Sequence, residues 1–273
     1  MTPSSAEKNI AMNPNQLLDL CAASPKDLDR REILLKAGKT GLGMLFAALP
    51  FVASGCAGVG KLVAADPKRA ADVLNFALLL ERREAEFYKI GLQTAGLVPA
   101  SDRAVIEQIG RNEERHVVFL TTGITGIGGT PDTSTQFDHT GSGKFPDIFR
   151  NYKTFVKMAQ TNEETGVRAY KGQAPFLMDS PTLLTAALRI HSSEGRHVAE
   201  LRRLRGLKGW ISESEVTGAD GRTYAGEGNT THGGVNMGAV SKVSHRALTE
   251  AFDEPLTRAQ VMAIVAPFIR KAA

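Results

Sequence analysis

The sequence predicts an all-α protein: a bundle of four long helices with one long crossover, followed by an irregular region and a short last helix. Three observations lead there. Apolar residues recur at three- and four-residue spacing, while strand-like alternation is nearly absent. The helices fall into two pairs, separated by a connection rich in Gly, Thr, Ser and Pro. Several polar positions of the first pair recur at a fixed offset in the second.

Residues 1–56 are set aside as an export leader. Arg30 and Arg31 precede Ile33, Leu34 and Leu35, and a glycine-diluted apolar run follows from Gly41 to Ala53. That run is shorter than the ~20 apolar residues a bilayer span needs. Basic region, apolar region and small residues in that order make a secretion signal, and the arginine pair resembles a twin-arginine signal. Ala53-Ser54-Gly55-Cys56 resembles a lipobox, which makes Cys56 a candidate for lipidation and membrane attachment. The expected location is the periplasm or cell envelope.

The bundle is expected over residues 57–205. The first helix runs from about Pro67 to Thr94, with Asp66 as cap and Gly96 and Pro99 ending it. The second runs from about Ser101 to Thr122, with Ser101 or Asp102 as cap. Gly123 to Asp147 is the long connection, which must carry the chain back along the bundle. The third helix is expected from about Ile148 to Gln173, and the fourth from Ser180-Pro181 to about Arg205. Residues 206–273 hold a glycine-rich stretch from Gly206 to Ser244 and a last helix over Thr257 to Lys271.

Composition excludes several classes. The chain has 273 residues, 42% of them hydrophobic and 23% charged, with a net charge of +4, so it is neither disordered nor strongly basic. No nucleic-acid signature is present. Two cysteines supply neither a disulfide framework nor a cysteine zinc site.

The repeat carries chemistry. Glu81 and Tyr88 recur as Glu163 and Tyr170, each offset by 82 residues (81 to 163, 88 to 170). Glu113, Arg115, His116, Val117 and Leu120 recur as Glu194, Arg196, His197, Val198 and Leu201, each offset by 81 (113 to 194). Positions three apart share a helix face, so Glu113 projects with His116 and Glu194 with His197. These residues interrupt the apolar stripes Ile106-Ile109-Leu120 and Leu184-Ala187-Ile190-Leu201, which face the core. Glu81 and Glu163 fall on the inward stripes of their own helices. Four bare carboxylates cannot remain ionised in an apolar core. Two divalent cations supply the compensation, and the two imidazoles complete the ligand set of di-iron and di-manganese carboxylate bundles.

On these residues, and on the segment DVLNFALLLERREAEFY (Asp72–Tyr88), the chain resembles the ferritin-like superfamily. It is similar in particular to exported bacterial ferritin-like-domain proteins of the desiccation-related type. The resemblance implies Glu81, Glu113, His116, Glu163, Glu194 and His197 as ligands of two iron or two manganese ions. Glu113 and Glu194 would bridge metals about 3.5–4 Å apart, with Glu81 and Glu163 terminal. It implies redox chemistry on peroxide or oxygen, as peroxide removal or ferroxidase activity. A di-manganese catalase-like enzyme and a non-catalytic envelope stress protein are the alternatives. A homo-oligomer stays open.

Among the neighbours, Glu114 and Glu164 lie off the inward stripes. Glu84 shares the face of Glu81, but its repeat equivalent is Gly166, making it an outer partner or an extra ligand. Tyr88 and Tyr170 either bond to ligand carboxylates or are ordinary core tyrosines. His191, three residues before Glu194, is a candidate outer partner. His139, His232 and His245 are expected to be solvated in loops. So is the cluster Arg202, Arg203, Arg205 and Lys208, at the end of the fourth helix.

Overall fold

The computed structural model describes residues 64–270. Four long helices dominate: α1 (Pro67–Gln93), α2 (Ala100–Gly126), α3 (Tyr152–Gln173) and α4 (Pro181–Leu204). After them come short α5 (Met237–Val240), α6 (His245–Thr249) and α7 (Arg258–Val265), with a small hairpin of β1 (Thr231–His232) and β2 (Val235–Asn236). The described residues form an all-α bundle of four long helices, as expected. Among the described residues no helix is long and apolar enough to cross a membrane. The leader and Cys56 lie outside the described residues.

Local chemistry sets most helix ends. Asp66 caps α1 by accepting from the Arg69 amide, with Pro67 in the first helical position. The expected side-chain cap on α2 is absent. Pro99 stands at that position, and the Ser101 hydroxyl donates to Asp102 instead. The helix also runs through Gly123 to Gly126, because buried Ile124 continues its apolar face. The third helix begins at Tyr152, not Ile148. Asn151 caps it, and the Asp147 carboxylate accepts from Asn151 and Thr154, which ties residues 147–151 into a turn. The last helix stops at Val265. Pro267 cannot continue an α-helical ladder, and Ala266–Phe268 tightens into a 3₁₀ turn.

The crossover runs along the outer side of α1. Asn75 donates to the Thr130 carbonyl and accepts from the Asp132 amide, and Arg82 donates to the Thr135 carbonyl. Phe137 then pairs with Ile269 in a β-bridge, so the end of the described chain clamps the crossover.

Two apolar clusters fill the bundle. One joins Leu74, Leu78, Leu120, Ile124, Leu183 and Ile190. The other joins Phe87, Ile106, Ile109, Phe155, Met158 and Leu201. They occupy opposite ends of the four helices. The middle of each helix, between the two clusters, carries Glu81, Glu113, Glu163 and Glu194. A third cluster seats α7 on α1 and α3 through Phe76, Leu80, Ala169, Val261 and Ile264. There the chain at Leu256 crosses so close to Gly172 that its carbonyl would collide with any Cβ at that position.

Candidate metal centre

Each of the four long helices delivers one glutamate to the centre of the bundle, and α2 and α4 each add a histidine one turn later. Glu81, Glu113, Glu163 and Glu194 have no solvent exposure. Two groups form there: Glu81, Glu113, His116 and Glu194, and Glu113, Glu163, Glu194 and His197. Within each group one donor atom per residue lies within 4.8 Å of the others, a spacing that could hold a metal ion. Glu113 and Glu194 belong to both groups.

Both imidazoles turn Nδ1 inward. His116 Nδ1 stands 3.1 Å from Glu81 Oε2, 3.1 Å from Glu113 Oε2 and 3.3 Å from Glu194 Oε1. His197 Nδ1 stands 2.9 Å from Glu113 Oε1 and 3.0 Å from Glu163 Oε2. The tyrosines cross the bundle. Tyr88 of α1 donates to Glu163 Oε1 of α3, and Tyr170 of α3 donates to Glu81 Oε1 of α1, each at 2.6 Å. Glu163 and Glu81 therefore each have one oxygen fixed by a phenol and the other aimed at an imidazole.

Electrostatics follow from burial. Burial pushes the Glu113 and Glu194 carboxyls well above their ordinary range, and the neighbouring carboxylates add to it. Burial acts on Glu81 and Glu163 in the same sense, but His116 and His197 outweigh it and bring both below that range. Burial disfavours charge on His116, yet Glu113, Glu194 and Glu81 around it raise its pKa. His197 is raised for the same reason, chiefly by Glu163. Neither oxygen of Glu194 makes a well-formed hydrogen bond, its nearest imidazole nitrogen being His116 Nδ1 at 3.3 Å from Oε1. The chain thus collects acids here faster than it supplies donors. Carboxylate and imidazole donors in this number fit iron or manganese.

Glu84 lies outside both groups but is buried against them. A Cβ at Gly166 would sit 3.2 Å from Glu194 Oε2 and 3.7 Å from Glu84 Oε1, so the glycine makes room for both acids. Burial, then Glu163, Glu81 and Glu113, raises the Glu84 carboxyl well above its usual value, and its Oε2 has no partner.

The structure corrects four expectations. His191 does not attend the centre: after burial, the groups acting on it are Lys171 and Asp253. His139 is buried rather than solvated. It packs against Phe87, Phe137 and Phe149, bonds to Glu86, and is pushed down to about 4, chiefly by burial. His232 stacks on Phe252, and its Nε2 is buried without a partner. Arg202 is buried at 1% exposure and donates to Glu164 at 2.7 Å. The C-terminal segment closes over it through Glu215 and the Lys208 carbonyl, which a reading of α4 alone does not reveal.

Two residues beside the centre were missed. Asn112 lies 3.0 Å from His197 Nε2, and Ser193 lies 3.4 Å from the same atom. Both precede a ligand candidate by one residue, and they are themselves related by the 81-residue offset (112 to 193), a signal present in the sequence.

No curated protein matches the chain. Residues 69–207, just over half of its length, match the ferritin-like domain family; the match covers α1 from Arg69 onward, the whole of α2, α3 and α4, and every residue of the two groups. The chain belongs to the ferritin-like domain family.

Proposed function

We propose that the bundle holds two first-row transition-metal ions, iron or manganese, and uses them in redox chemistry on a small oxidant, as peroxide removal or ferroxidase activity. One observation carries this reading. Five buried glutamates (Glu81, Glu84, Glu113, Glu163, Glu194) meet in one place, and among the described residues the cationic groups acting on them are two imidazoles and Arg83. Glu113 and Glu194, common to both groups, would bridge the ions. Glu81 with His116 and Glu163 with His197 would complete one position each. Bound there, a pair of redox-active ions supplies two electrons at once to peroxide or oxygen.

The chain's own part is to hold and enclose. Tyr88 and Tyr170 lock one oxygen each of Glu163 and Glu81 and leave the other facing the imidazole of His197 or His116. The apolar clusters at both ends keep bulk water out. Of the six side chains His116 is the most exposed, at 13%.

Elemental analysis of the leaderless protein, expressed with both metals available, tests the reading. Two irons per chain with ferroxidase or peroxidase turnover supports it. Two manganese ions with oxygen release from peroxide favours a catalase-like enzyme. No metal, together with a melting temperature that added metal leaves unchanged, favours a non-catalytic stress protein.

We also propose export through the twin-arginine-like leader and attachment to a membrane through lipid on Cys56, supported by the residue pattern alone. Mass spectrometry of the mature N-terminus tests it: an unmodified terminus at another position overturns the anchor.

A further inference from the structure

The two ends of the bundle treat their apolar turn residues differently. At the far end, the turn from α1 to α2 tucks Leu97 and Val98 into the second apolar cluster, at 5% and 8% exposed. At the near end, the 3₁₀ turn Ala174–Leu177 leads from α3 towards α4. Leu177 seats it at 1% exposed, while Phe176 and Met178 on either side stand out at 51% and 71%. Closing the turn does not require them. Beside Phe176 opens a groove of about 640 Å³, lined by Val73, Pro175 and Phe176 and by Arg69 and Arg258. These arginines pair with Asp179 and Asp72, so the acids there are balanced. An exposed apolar pair joined to such a groove makes a contact surface rather than scattered exposure.

The chain enters the bundle at this same near end. The Ala65 amide donates to the Ser180 hydroxyl at 3.3 Å, and Ala64 packs with Leu177 and Leu183. Cys56 stands eight residues before Ala64 (56 to 64), and eight residues span at most about 29 Å when fully extended. The far end is more distant by the length of α1, 27 residues, or about 40 Å. A lipid on Cys56 therefore puts the near end of the bundle closest to a bilayer. Exposed aromatic and aliphatic side chains enter the boundary between headgroups and acyl chains.

Resting on the lipid-anchor reading above, we propose that Phe176 and Met178 form a membrane contact. The bundle stands with its α3–α4 turn on the phospholipid surface and its α1–α2 turn pointing away. The lipid on Cys56 holds the chain to the bilayer, and the two side chains set its orientation there.

Methionine oxidation in the metal-free mature chain, residues 56–273, tests this. Cys56 is the sole thiol of that chain. It is coupled to a maleimide-bearing lipid in vesicles of phosphatidylethanolamine and phosphatidylglycerol, which supplies the anchor whether or not a cell does. Chloramine-T converts exposed methionine to the sulfoxide, and peptide mass spectrometry reads Met178 against Met237 of α5. Met178 is expected to oxidise several-fold more slowly on vesicles than in solution, with Met237 unchanged. Phe176→Ser should return Met178 to near its rate in solution and leave the melting temperature in place, because Phe176 is half exposed. Three results would overturn the contact: equal Met178 rates on vesicles and in solution, equal slowing of both methionines, or protection that appears only at high protein density and so reports a second copy. The native N-terminus judges the anchor separately. An unmodified terminus alongside a protected Met178 would overturn the anchor and leave the contact standing.

Discussion

Glu163 and Glu164 are neighbours in sequence, both are buried, and they enter opposite kinds of environment. Glu163 turns into the bundle, where four other glutamates surround the same small space. Glu164 turns the other way, beneath the C-terminal segment. There Arg202 donates to it at 2.7 Å, Gln160 donates at 2.8 Å, and the Tyr224 hydroxyl bonds to its other oxygen. Burial raises the Glu164 carboxyl, with Tyr224 and Arg202 pulling the other way. Burial works against the Arg202 charge, and the Glu164 carboxylate more than restores it. The pair of Arg168 and Glu227, 3.0 Å apart and 1% exposed on each side chain, repeats the arrangement nearby. The lesson is one of charge balance. Where the chain supplies an arginine for each buried acid, the acid fastens one segment to another. Where it supplies acids in excess, the groups are left able to hold cations that come from outside.

That contrast can be broken from either side. The largest effect is all-or-none. Glu113→Ala should abolish binding of both ions, because Glu113 belongs to both groups, whereas His197→Ala should remove one; metal analysis after dialysis reads the difference. Glu113→Ala should fold, since it removes an acid from a centre already short of partners; His197→Ala removes one of the two imidazoles that offset the acids, so its melting curve is read beside its metal content. Next, Arg202→Leu leaves Glu164 buried without the arginine that bonds to it. Unfolding in denaturant should show a loss of about 3–5 kcal/mol with metal content unchanged. A loss of metal in that variant would erase the distinction between the two clusters. Replacing all six candidate ligands with apolar residues of similar size should instead stabilise the metal-free bundle, by about 1–4 kcal/mol. A large destabilisation there would mean that the acids already have their compensation.

The smallest effect concerns pH. Burial raises Glu227 from 4.5 to about 7, with Arg168 opposing. Its folded value lies above its unfolded one, so between these values the folded protein holds a proton that the unfolded chain has released. The contribution to stability is full below about 4.5 and is lost as pH rises through about 7. Glu227→Gln should flatten the dependence of the melting temperature over that window, and an unchanged slope would remove Glu227 from the account.

How far the sequence could be read depended on the range of the interaction. The caps at Asp66 and the boundaries of α1 and α4 lie close to their expected positions because such signals act within one turn. The boundary of α3 was harder: the Asp147 carboxylate competes locally with helix formation, and apolar spacing says nothing about that. Glu113 with His116, and Glu194 with His197, were legible as inward pairs from helical spacing alone. The phenol bonds of Tyr88 and Tyr170 were not, because each tyrosine serves the glutamate of the other helix. His139 and Arg202 were misread for one reason. Each was placed by its own segment, whereas its burial comes from segments remote in the chain.

The sequence by itself determined the helices, their apolar faces and the repeated acids and imidazoles on them, since a helix turns by a fixed angle per residue and any face can be counted out locally. Only the tertiary structure decided which buried charge meets which partner. Glu164 finds Arg202 at a separation of 38 residues and Asn112 finds His197 at 85. Compensation of charge is a sum over everything nearby in space, and no local period encodes it.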